Sequence, residues 1–158
     1  MECVLLTVGK IKDKALKLLI ENYTKNLQKF TKLTIIEVKD EPEVKNASEE
    51  DLEILREKEA ESLRKHIKTG YKIALAIEGK TFTSEALALE IEKIKTYHSS
   101  KLYFLIGGSY GISKSLKKEM DLLLSFSELT FPHQLMRVIL LEQLFRSMKI
   151  LNGEPYHT

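Results

Sequence analysis

Apolar positions follow two rhythms along this chain. Residues 2–8 (ECVLLTV), 33–38 (LTIIEV), 72–77 (KIALAI) and 102–106 (LYFLI) are short apolar runs that stop at or near a glycine or at a charged stretch. Their length and their Val, Ile and Thr content predict strands. Between the runs, apolar side chains recur at three and four residues. Leu16, Leu19, Ile20, Tyr23, Leu27 and Phe30 share one helical face, Leu52, Leu55, Leu63 and Ile67 form a sparser stripe, and Leu87, Ile91 and Ile94 a third. Ser48 followed by Asp51 has the form of a capping box and marks where the second helix begins. Residues 39–47 are charged, contain Pro42 and lack periodicity, which predicts a surface loop. Residues 113–126 (SKSLKKEMDLLLSF) supply a short helix running into a fifth apolar run. The last element, from about Phe131 to about Leu151, is apolar nearly all round: Leu135, Val138, Ile139, Leu141, Leu144, Phe145 and Met148. A helix with that pattern must be buried on every side.

Strands alternating with helices over short connections predict an α/β fold, a parallel sheet flanked by helices. With 158 residues, 43% of them hydrophobic, the chain suits a single domain, residues 1–158, around one substantial core. No window approaches the roughly 20 apolar residues that span a bilayer, and no signal peptide is evident. The expectation is a soluble, cytoplasmic protein with no membrane partner. The single cysteine, Cys3, excludes an internal disulfide and any multi-cysteine metal site, and its apolar surroundings predict a buried structural thiol. His66, His98, His133 and His157 show no metal-ligand spacing, so no metal is expected. A formal charge of +2 falls well short of a domain that binds nucleic acid through charge alone. Any RNA recognition must come from a local site.

Residues 106–111 (IGGSYG) raise the question of a phosphate loop. Gly107, Gly108 and Gly111 do not match the dinucleotide fingerprint, and no Walker lysine follows them. Two readings remain open: a tight turn after a strand, or a turn whose missing side chains let a ligand approach the backbone. Residues 125–158 (SFSELTFPHQLMRVILLEQLFRSMKILNGEPYHT) lie downstream. Together with VGK at 8–10, IEGK at 77–80, IGGSYG, the TFPHQ run and the terminal PYH, they resemble the small SPOUT methyltransferases that modify large-subunit ribosomal RNA. The resemblance extends over the whole chain.

That resemblance implies a SPOUT fold with a C-terminal deep trefoil knot, a feature that periodicity cannot reveal. It implies S-adenosyl-L-methionine as methyl donor, N3 of a pseudouridine in 23S rRNA of the large subunit or assembled ribosome as acceptor, and a homodimer as working unit. Carried over by motif, the cofactor would meet Leu75, Gly107, Phe126, Ser127, Glu128, Leu129, Thr130 and Phe131. Without the resemblance, Leu75 and Phe126 read as core residues. N3 is an imide nitrogen that must lose its proton, so a positioned base would help. His157 and His133 titrate in the right range, although His133 could instead cap the following helix. Tyr156 could stack on a base. Arg137 is assigned to RNA; for Arg146 and Glu142 an RNA role and an ion pair at a dimer interface both stand. The competing reading is a noncatalytic RNA- or ribosome-binding module on the same fold, since fold alone does not fix function.

Overall fold

The structure, a computed structural model, describes residues 1–156. Its elements alternate as expected: β1 (Glu2–Val8), α1 (Lys14–Leu27), β2 (Lys32–Val38), α2 (Glu49–Arg64), β3 (Tyr71–Thr81), α3 (Ser84–Tyr97), β4 (Lys101–Ile106), α4 (Lys114–Lys118), β5 (Leu122–Ser125) and α5 (His133–Leu151). All five strands are parallel, in the order β2-β1-β4-β3-β5.

Helix starts follow local chemistry. Asp13 accepts the Ala15 and Leu16 N–H groups at the head of α1, and Ser48 with Asp51 forms the reciprocal capping box of α2. Strand side chains alternate between two cores. Cys3, Leu5, Ile73, Leu102 and Phe104 pack with α1, α3 and α5 on one face, while Val4, Leu6, Ala74, Tyr103 and Leu105 pack with α2 and α4 on the other. Cys3 is buried, and burial pushes its thiol up to about 11, so it stays protonated and inert. No helix of the described residues is long and apolar enough to cross a membrane.

Helix α5 lies between α1 and α3 against the sheet, and none of its residues is exposed. Most of its apolar surface is thus covered within one chain, while Leu135, Met136, Ile139, Ile150 and Leu151 stay half-buried. The larger departure is in β3. The apolar run at 72–77 predicts a strand closed by Gly79, yet β3 continues to Thr81. Its register against β5 shifts, with both Leu75 and Lys80 pairing Leu124, so residues 76–79 leave the ladder as a bulge. Gly79 permits the return: a Cβ there would lie 2.6 Å from the Leu123 carbonyl.

Candidate active site

Parallel sheets present their strand ends as binding edges, and here that edge is open. A cleft of about 730 Å³ lies where β3, β4 and β5 end. Three separate segments form it: residues 75–78 with the β3 bulge, the glycine turn at 106–112, and residues 124–136 leading into α5. Its surface is mostly apolar, from Leu75, Ile106, Leu124, Phe126 and Phe131. Lys117 donates to Glu78 at 2.6 Å on its rim, and that ammonium holds the Glu78 carboxyl below its ordinary range. An apolar slot with a few polar groups at its edge suits a small organic ligand.

The glycine turn is built tightly. Gly111 takes φ +83°, donates to the Gly108 carbonyl at 3.0 Å, and bridges back to Gly108. A Cβ on Gly107 would meet the Gly111 carbonyl carbon at 2.5 Å. The missing side chain at Gly107 thus serves the turn's own packing, rather than simply leaving room for a ligand. Behind the turn stands α2. Arg56 Nε donates to the Tyr110 carbonyl at 2.8 Å, Glu53 accepts the Lys114 N–H at 2.7 Å, and Glu57 accepts the Ser115 hydroxyl. Glu59 is 4% exposed and lies against Gly108, where a Cβ would come within 3.2 Å of its Oε1. Burial is the main cause that raises the Glu59 carboxyl; the Asp40 and Glu41 charges add to it, and the Glu41 N–H bond opposes it.

Of the residues singled out for the cofactor, Leu75, Gly107, Phe126, Ser127, Leu129, Thr130 and Phe131 all line this cleft; Glu128 is exposed and does not. His133 lines it too, at the first position of α5. It does not cap the helix: Pro132 is the N-cap, and His133 Nδ1 is buried without a hydrogen-bond partner. Burial chiefly, and then the Arg137 charge, lower the His133 imidazole from its ordinary value, with Asp40 opposing. The ring is neutral at pH 7.

Arg137 is 1% exposed and points at the strand edge. It donates to the carbonyls of Val8 and Gly9 at 2.8 and 2.7 Å and to Glu37 at 2.7 Å. Within this chain it ties α5 to the end of β1. Arg146 pairs with Glu142 at 2.6 Å, one turn away. Tyr156 docks on the same patch, donating to Glu142 at 3.1 Å, with its ring edge-on to Phe145 at 5.0 Å and beneath Arg146. Burial and the Glu142 charge push its phenol up to about 12, so it is a donor and no base. This contact lies away from the cleft. Met136 lines the cleft and Phe145 follows nine residues later, roughly 14 Å along the helix at 1.5 Å per residue. His157 lies outside the described residues.

Nothing in the spacing singles out Glu78 and Lys117, which meet only through the fold. Glu59 did carry a signal: it lies four residues from both Leu55 and Leu63, a carboxylate on an apolar stripe.

A doubly covered parallel sheet with a mostly apolar, three-segment cleft at its carboxyl edge defines an α/β ligand-binding domain. The chain belongs to the SPOUT methyltransferase family, whose model, described as "Predicted SPOUT methyltransferase", matches residues 1–157. It is 49% identical over 158 residues to the protein named ribosomal RNA large subunit methyltransferase H in Bacillus pumilus, covering 99% of each chain. The protein of the same name in Shouchella clausii is also 49% identical, again over 99% of each chain. In fold, the chain is similar to a probable methylase family protein from Haemophilus influenzae Rd KW20, with a TM-score of 0.52 at 11% identity, over 99% of this chain and 70% of that one.

Proposed function

We propose that this chain transfers a methyl group from S-adenosyl-L-methionine to N3 of a pseudouridine in 23S rRNA of the large ribosomal subunit, working as a homodimer. The observation that carries the reading is the coincidence of the cleft with the motif segments: seven of the eight motif positions line one cavity. The names of the relatives supply the ribosomal RNA class of substrate.

When bound, the cofactor supplies a methyl group already activated by a sulfonium. The cleft's task is then orientation and exclusion of water. Leu75, Phe126 and Phe131 offer apolar walls for an adenine ring, and the glycine turn offers backbone groups at its edge. The oppositely charged Glu78 and Lys117 at the rim match the ammonium and carboxylate of an amino-acid tail. The trefoil knot implied by the family would hold residues 126–131 across the opening, which is one way to bring three distant segments to a single cavity.

The acceptor nitrogen must surrender its proton as the new N–C bond forms. His133, neutral and with Nδ1 unpartnered at the cleft, is one acceptor within the chain. The tail is the other source, with His157 as its candidate base; within the chain Tyr156 sits against Phe145, which lies some 14 Å along α5 from Met136 of the cleft. A symmetric partner would bring a second tail to each cleft, which motivates the dimer.

Two measurements test this. Calorimetry should show micromolar-range cofactor binding that Ala76→Trp, on the bulge wall, abolishes with little change in melting temperature. Ala76→Trp and a truncation after Pro155, each inactive, should regain roughly a quarter of wild-type activity when unfolded, mixed and refolded. Half of randomly paired dimers are mixed, and each mixed dimer has one complete site. A mixture that stays inactive despite heterodimers seen by native mass spectrometry contradicts the shared site.

A further inference from the structure

Two stretches of the chain outside the cleft lining carry opposite charge. Residues 10–32 contain seven lysines against Asp13 and Glu21, whereas residues 37–61 contain eleven acidic residues against four basic ones. The net charge of +2 conceals this division. We propose that the loop after β1 and the first turn of α1, bearing Lys10, Lys12, Lys14 and Lys17, is the surface on which the phosphate backbone flanking the target nucleotide docks. The proposal rests on the rRNA reading above.

The position of the loop supports it. Arg137 binds the carbonyls of Val8 and Gly9, the Lys12 N–H reaches the Gln134 side chain at 3.4 Å, and Gly9 lies beside His133. The lysine segment is thereby fastened to the first turn of α5, whose residues His133 and Met136 line the cleft. All four lysines are exposed. Asp13, the one carboxylate within residues 10–17, is engaged by two N–H groups at the head of α1; Glu37, which accepts the Ile11 N–H, is paired with Arg137, and Asp40 lies beside Gly9. Lys14 and Lys17 lie one turn apart and share a face.

The acidic stretch could not serve. Its arginines are already matched, Arg56 by Glu49 and Glu53 and Arg64 by Glu57 and Glu119. The remaining carboxylates would repel phosphate. The phosphate backbone therefore lies over the lysines on the α1 side, with the target base directed to the cleft. Released counterions would make this contact strongly salt-dependent.

The test compares wild type with Lys10→Ala/Lys12→Ala/Lys14→Ala/Lys17→Ala and with a control, Lys45→Ala/Lys58→Ala, from the acidic side. Methylation of unmodified ribosomes is measured across a salt series, with cofactor affinity and melting temperature alongside. The quadruple variant should raise the KM for ribosomes at least tenfold and flatten the salt slope by about one per lysine removed. Its cofactor affinity should stay within threefold, and the control should match wild type. A photocrosslinker in place of Lys14 should capture rRNA. An unchanged KM and slope in the quadruple variant, parallel loss of cofactor affinity, or a crosslink only to ribosomal protein would each overturn the proposal while the wild type still methylates. A wild type that methylates no ribosomal RNA removes the rRNA reading itself, and the docking surface with it.

Discussion

One wall of the cleft is braced and the other is nearly free. The glycine turn at 107–111 is pinned by the side chains of α2: Arg56 on the Tyr110 carbonyl, Glu53 on the Lys114 N–H just beyond the turn, and buried Glu59 against Gly108. Across the cavity, residues 126–132 form no regular structure. Their local bonds include Ser125 to the Ser127 carbonyl and the Leu129 N–H to the Ser127 hydroxyl, and Leu129 stands 68% exposed. The difference suggests a division of labour. Under the proposed function, a rigid turn would set the geometry of the bound donor and a loosely tied segment would close over it, paralleling the lids of many enzymes.

Breaking the braced wall should have the largest effect. Gly107→Ala forces a Cβ into the Gly111 carbonyl and should cost about 2–3 kcal/mol of stability, by analogy with overpacked cores, with cofactor binding lost. Thermal melts and calorimetry check both. Arg56→Ala leaves the Tyr110 carbonyl without its donor and should cost about 1–2 kcal/mol, with weakened cofactor binding although Arg56 is not a lining residue.

Glu59 gives a subtler signature. Because its folded pKa is raised above the ordinary 4.5, its stabilising contribution is complete below that value and is lost as pH rises through the raised one. Glu59→Gln should keep the bond to the Glu41 N–H and remove this loss. The variant should match or exceed wild-type stability at pH 7 and gain least in acid. A variant less stable at pH 7 would mean that the charge itself braces the turn. The smallest effect on stability belongs to the free wall: Leu129→Ser should change it by less than about 0.5 kcal/mol. If that segment closes over the cofactor, affinity should still fall by about fivefold, near 1 kcal/mol. Equal losses of stability at Leu129 and Gly107 would erase the contrast.

Much of this architecture is legible in the chain. β1, the capping box at Ser48 and Asp51, and the ends of α5 follow from local pattern, because each depends on neighbours within a few residues. β3 does not: a glycine after an apolar run reads as a stop, and only the approach of Leu123 from a distant strand shows why the strand continues. Arg137 reads as a residue for RNA, and its bonds to the carbonyls at the end of β1, 128 and 129 positions away, leave no trace in the sequence. The cleft's three segments begin 31 and 18 residues apart in sequence, at Leu75, Ile106 and Leu124, and only the whole-chain resemblance joins them in advance. The bracing by α2 hides in a run of Glu and Lys that looks like a solvated face.

The central claim is methyl transfer to one imide nitrogen. Ribosomes from a strain lacking this activity, purified protein and S-adenosyl-L-methionine with a labelled methyl group would be incubated, and the 23S rRNA digested to nucleosides for mass spectrometry. The account predicts one labelled product, a pseudouridine methylated at N3, formed by wild type and absent with Ala76→Trp. Label on a different nucleoside, or none on 23S rRNA while the protein binds the donor, would contradict it.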